Sequence, residues 1–212
     1  MKRFVYFSML CFLLMIPAQM TGAAERAFQA GPVNPSLLDS LRQGGYILYV
    51  RHGEATAGED RPNLDLRDCS TQRNLSGEGR RQAEAFGEAI RRLHIPVQSP
   101  VLAGPLCRTR ETAELAFGEE NVQIDPFWIR IYRLSGDVTP SEREAALAAL
   151  TSILEKTPSP GTNQVIVAHS FPKGVGLGGI PNLGTVVVKP RGQGQGYEVA
   201  GRISLAELPN AR

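Results

Sequence analysis

GGYILYVRHGEA, Gly44 to Ala55, changes character half-way along. Tyr46-Ile47-Leu48-Tyr49-Val50 is an unbroken apolar, aromatic and β-branched run, the composition of a strand buried on both faces. It stops at Arg51-His52-Gly53-Glu54. Packing gives no reason for a buried strand to deliver a guanidinium and an imidazole to its own carboxyl end. In open parallel sheets that end is where ligands bind.

Working outward, the same pattern returns once. Gln164-Val165-Ile166-Val167-Ala168 reads as a second buried strand, and it ends in His169. Upstream, Pro35 to Arg42 reads as a short helix with proline near its first turn. Ala57 to Gln72 is polar and turn-rich, a long loop of the kind that is usually functional or disordered. Ser76 caps a helix whose apolar residues Ala83, Phe86, Ala89, Ile90 and Leu93 recur at helical spacing up to His94, with Gly79 where a capping box would place Glu or Gln. Strand Pro100–Ala103, helix Thr109–Phe117 closed by Gly118, strand Val122–Ile124 and helix Pro140–Lys156 follow. Leu183–Lys189 and Tyr197–Leu205 read as strands. Strands alternating with helices predict an α/β fold, a three-layer α/β/α sandwich around a mostly parallel sheet.

The 212 residues suffice for one good core. Residues 1–24 are expected to be a secretory signal peptide, leaving 25–212 as the folded domain. Lys2-Arg3 is the positive start, Phe4 to Ile16 the apolar run, and Thr21-Gly22-Ala23-Ala24 the small residues for cleavage. The apolar run is shorter than the roughly 20 residues of a membrane span, so no stable membrane insertion is expected. The expected location is secreted or periplasmic. Losing Lys2 and Arg3 from 23 Lys+Arg leaves 21 against 21 Asp+Glu, with no basic field to recruit nucleic acid. Cys69 and Cys107 survive maturation. They have no zinc spacing, and in an exported protein such thiols are more often paired than metal-bound, so a disulfide and two free thiols both stay open.

The chain has three histidines. His94 follows a helix beside Ile95-Pro96 and reads as a surface or cap residue. His52 and His169 both follow buried strands. Arg108 falls where strand gives way to helix, in AGPLCRTRETAELAFG, a place where helix amides and a guanidinium both favour an anion. Arg51, His52, Arg108 and His169 at strand ends describe a pocket for a tetrahedral dianion. There is no Walker-type loop and no metal-ligand cluster, so the protein must supply the nucleophile, and imidazole suits.

YVRHGEA, LSGEGRRQA, PLCRTRETA and VIVAHS, in that order, resemble the motifs of the histidine phosphatase superfamily, the phosphoglycerate-mutase-like proteins, over nearly all of the mature chain. The chain is also similar to small exported members such as lipopolysaccharide heptose-phosphate phosphatases. The resemblance implies that His52 is the phosphorylated nucleophile, that Arg51 and Arg108 clamp the phosphoryl oxygens, and that His169 faces His52 across them. It implies no metal, no other cofactor, and a small-molecule or glycan phosphate substrate.

The chain departs from the family pattern at Ala55 and Gly58, where relatives often carry Ser or Thr and Asn, and at Ser170, where many have Gly. The family's general acid is a Glu beyond the third strand. DPFWIRIYRLSGDVTP contains none, and Asp137 is the nearest carboxylate; it reads equally as a helix-entry aspartate. The function expected is a metal-independent phosphatase. The alternative is a weakly catalytic or non-catalytic phosphate-ligand binding protein on the same fold. A mutase fits an exported chain of this length less well, and a structural module would need an exposed apolar or repeated surface.

Overall fold

The computed structural model describes Phe28 and residues 33–210. The leader expected over residues 1–24 lies outside them. In chain order come α1 (Pro35–Gln43), β1 (Ile47–Arg51), α2 (Gly77–Arg92), β2 (Val101–Ala103), α3 (Cys107–Phe117), β3 (Val122–Ile124), α4 (Trp128–Arg133), α5 (Pro140–Leu154), β4 (Gln164–Ala168), β5 (Thr185–Pro190) and β6 (Tyr197–Ile203).

These strands make one six-stranded sheet in the order β3-β2-β4-β1-β5-β6. The first four are parallel, while β5 runs antiparallel to β1 and β6 antiparallel to β5. Side chains of β1 alternate between two cores, as the period of two requires. Leu48 and Val50 join Leu38, Leu41, Phe86, Ile90 and Ala113 from α1, α2 and α3. Ile47 and Tyr49 join Trp128, Ile131, Leu150 and Leu154 from α4 and α5. Both faces are covered, which gives the expected three layers and explains the lack of polar alternation in the strand.

Helices leave β1 over one face and return to β4 over the other. Their carboxyl ends therefore open on a crevice between connections that diverge. The register sets Val50 beside Val167 and Arg51 beside Ala168, so the next residue of each strand, His52 and His169, emerges at the same level.

The amino end of α2 seats against the turn after β1. Ser76 accepts from Gly79 N at 2.9 Å and donates its hydroxyl to Glu54 Oε1 at 2.8 Å. A Cβ on Gly79 would collide with the Glu54 carbonyl, and one on Gly53 with the Gly79 carbonyl. The absent Glu of a capping box is thus explained: backbone meets backbone here, and only glycine fits. Gly53 answers to helix packing, and the Glu54 carboxylate is engaged by Ser76.

Three elements differ from the expectation. α3 begins at Cys107 rather than Thr109, because Gln72 from the long loop accepts the Cys107 N–H at 2.7 Å and satisfies a first-turn donor that lacks a side-chain cap. α4 falls in the aromatic stretch before Asp137; its six residues are too few to show a helical period. Leu183, expected at the start of a strand, has a positive φ of 50° and turns the chain into β5. Among the described residues no helix is long and apolar enough to cross a membrane.

Candidate active site

At the carboxyl ends of β1 and β4 lies a cleft of about 360 Å³, and Arg51, His52, Arg108 and His169 all line it. The four residues singled out by strand ends and motifs are brought together. The His52 and His169 rings approach edge to face, with centroids 4.9 Å apart. Tyr49 of β1 donates its hydroxyl to the His169 carbonyl at 2.7 Å and ties the two strand ends to each other.

His52 Nδ1 lies 2.7 Å from the Gly53 carbonyl oxygen. A carbonyl only accepts, so Nδ1 carries the hydrogen and Nε2 keeps its lone pair. Burial lowers the His52 pKa from its ordinary value to about 3; the Arg108 and Arg51 charges add to this, and the Gly53 hydrogen bond partly opposes it. His169 is likewise held well below its ordinary value, first by burial and then by His52 and the arginines. Both imidazoles are neutral at neutral pH. For His52, burial contributes more than the arginine charges.

Arg51 donates Nη1 to the Ile180 carbonyl at 2.8 Å. Ser170 Oγ accepts the Ile180 N–H at 2.9 Å, so the serine that departs from the family pattern braces the partner of Arg51. Arg108 is 1% exposed. Its Nε donates to His169 Nε2 at 3.1 Å, which puts the His169 hydrogen on Nδ1. Of the buried donors without a protein partner among the described residues, two belong to residues that line the cleft: Arg51 Nε and His169 Nδ1. An unpaired buried donor is costly, and both of these belong to residues at the cleft.

The long loop supplies what sequence reasoning missed. Asp60 accepts from Arg108 Nη1 at 2.9 Å, from Nη2 at 3.0 Å and from the Tyr132 hydroxyl at 2.8 Å. It also accepts the Arg73 N–H at 2.7 Å. Burial pushes the Asp60 carboxyl up, but the Arg108 and Arg73 donors outweigh it and hold it below the ordinary carboxylate range. The Tyr132 ring lies beneath the guanidinium, 5.3 Å from Arg108 Cζ. Arg73 and Glu59 line the same cleft. The loop is fixed to α3 by a Cys69–Cys107 disulfide, which resolves the open cysteine question in favour of pairing.

Asp137 is not brought to this cleft. It is exposed on the turn between α4 and α5, and the lining from that segment is Tyr132 and Ser135. α4 packs Trp128 and Ile131 into the core and ends at Arg133, before Asp137. No group of three or more His, Cys, Asp or Glu among the described residues is placed to hold a metal ion.

The family model of the histidine phosphatase superfamily, branch 1, matches residues 47–128. No curated protein matches the chain in sequence. Among solved structures, an alpha-ribazole phosphatase from Shigella flexneri superposes with a TM-score of 0.51 at 14% identity, covering 76% of this chain and 97% of that one. Mycobacterial hydrolase 1 gives 0.51 at 15% identity, over 74% of this chain and 97% of that one. At such identities the likeness is one of fold. Arg51, His52 and Arg108 all lie within the segment that matches the histidine phosphatase superfamily, branch 1, and the pairing of β1 with β4 brings His169 beside them.

Proposed function

We propose that the chain is an exported, metal-independent phosphatase that hydrolyses a phosphomonoester through a phosphohistidine on His52. The observation that carries this is the tautomer of His52. A buried neutral imidazole, with Nδ1 tied to the Gly53 carbonyl and a lone pair on Nε2, faces a second histidine in a cleft edged by two guanidinium groups.

In this reading Nε2 attacks phosphorus in line with the leaving oxygen. Arg51 and His169, each with a buried donor that has no protein partner, turn towards the phosphoryl oxygens as substrate binds. Arg108 adds positive charge while Asp60 and Tyr132 hold it still. A dianion arriving between them turns the low pKa values of the two histidines to advantage, since neutral imidazoles are buried at little cost until charge develops. Water then attacks the phosphohistidine and returns His52 to its starting state. Charge stabilisation falls to cations the chain already holds, which supports metal independence. Export rests on the leader-like residues 1–24. The substrate class is a phosphate-bearing small molecule or glycan.

The test is turnover of a chromogenic aryl phosphate by the mature protein. His52→Ala is expected to abolish it, chelator to leave it intact and vanadate to inhibit it. Activity lost to EDTA and restored by a divalent ion contradicts the proposal. Phosphate binding without turnover in the unaltered protein favours the ligand-binding alternative.

A further inference from the structure

The resemblance leaves one role without a residue. Phosphoryl transfer to imidazole from an alkyl ester expels a strongly basic oxygen, and a positioned acid accelerates such a step by about 10²–10⁴. Of the carboxylates considered, Asp137 does not line the cleft and the Glu54 carboxylate is engaged by Ser76.

Among the described residues two carboxylates line the cleft, Glu59 and Asp60. They are adjacent in sequence and opposite in circumstance. Asp60 accepts four hydrogen bonds: two from Arg108, one from Tyr132 and one from the Arg73 amide. A carboxylate so engaged, on a buried guanidinium, is a fixed anion with no proton to give. Glu59 has no hydrogen-bond or ion-pair partner among the described residues and its side chain is exposed at the cleft. Its backbone is nonetheless held. Asp60 next to it is anchored to Arg108, the Arg61 amide donates to Thr71, and the loop closes on α3 through Cys69–Cys107. The outcome is a free, exposed carboxyl on a restrained loop, lining the cleft that holds His52.

We infer that Glu59 is the general acid of the phosphoryl transfer, protonating the leaving oxygen of alkyl phosphates as it separates from phosphorus. This rests on the phosphatase reading above. As the His52 Nε2–P bond forms, the P–O bond to the leaving group breaks and its electron pair stays on oxygen. The Glu59 carboxyl proton moves to that oxygen, so the product is a neutral alcohol and Glu59 becomes a carboxylate. In the second half, water attacks phosphorus and gives a proton to the Glu59 carboxylate. The N–P bond breaks, its pair returns to Nε2, and phosphate leaves.

The experiment measures kcat/KM for phosphate esters graded in leaving-group pKa, from nitrophenyl phosphates to glycerol phosphate, in the mature protein, Glu59→Gln and Asp137→Asn. Nitrophenyl turnover that disappears in His52→Ala secures the phosphatase reading independently. Glu59→Gln is expected to lose about 100-fold or more on glycerol phosphate and under about threefold on the best leaving group. The dependence on leaving-group pKa is therefore shallow in the unaltered protein and steep in the variant, with Asp137→Asn unchanged. Equal losses across the whole series, no loss on glycerol phosphate, or an already steep dependence in the unaltered protein each overturn the assignment. A steepening confined to Asp137→Asn overturns it in favour of that residue.

Discussion

Cutting the link between Cys69 and Cys107, by Cys69→Ser with Cys107→Ser, unfastens the loop that carries Asp60 and Arg73 from the helix that carries Arg108. The bridge spans 38 residues. In the chain-entropy model a closed loop of that size removes about 13 cal/mol/K from the unfolded ensemble, about 4 kcal/mol at 25 °C. For a urea dependence of about 2 kcal/mol per molar, the unfolding midpoint falls by about 2 M. The function suffers through a different route. Gln72 caps α3 at Cys107, and Asp60 grips Arg108, so a looser loop weakens both contacts. The assay is equilibrium urea unfolding of the mature protein and the double serine variant, followed by far-ultraviolet circular dichroism, with KM for an aryl phosphate measured alongside. KM is expected to rise more than kcat falls. A midpoint shift below about 0.5 M refutes the stability argument. Two titratable thiols in denatured protein recovered from an oxidising compartment refute the bridge itself.

Two further outcomes follow from the same site. Asp60→Asn leaves the Arg108 guanidinium buried without its counter-charge, which costs about 3 kcal/mol or more in stability; inorganic phosphate or vanadate, by resupplying an anion, should raise the melting temperature of this variant more than that of the unaltered protein. His52, lowered to about 3, and His169, lowered in the same direction, are neutral when folded and bind protons near pH 6.5 when unfolded. The unfolded state therefore takes up more protons below about pH 6.5, and stability falls on acidification from there towards pH 3, by up to about 1.4 kcal/mol per pH unit for each histidine. Urea midpoints of the unliganded protein between pH 7 and 4 check this, and His169→Asn should flatten the slope; a midpoint independent of pH over that range counts against buried neutral imidazoles.

The residues that could be found in the sequence were those with a pattern to carry them. β1 and β4 stand out because runs of four or five apolar residues without polar alternation mark a doubly covered sheet, and their histidines stand out by interrupting that pattern. Arg108 was marked by the change from strand to helix. Asp60, Tyr132 and Arg73 had no such mark. Asp60 lies in a loop without periodicity and meets Arg108 across 48 residues of sequence and Tyr132 across 72. Contacts of that kind are fixed by the whole fold and leave nothing local to read. Tyr132 was visible only as one aromatic among several, because α4 is too short to declare itself. Gly53 illustrates a third case: its identity suggested a special position, but the reason, contact with Gly79 of α2, required both backbones to be placed. Asp137 was chosen for its distance along the chain from β3, and a turn after α4 carried it elsewhere.

The central claim is that His52 becomes phosphorylated during turnover, and it is tested most directly by trapping that species. Mature protein mixed with a radiolabelled or heavy-oxygen aryl phosphate, quenched in alkali within the first turnover and digested, should yield one phosphorylated peptide containing His52. The modification should survive base, be lost in acid, and be missing from His52→Ala. A label on another residue, or steady turnover with no trapped phosphoenzyme and with activity retained in His52→Ala, would contradict the account.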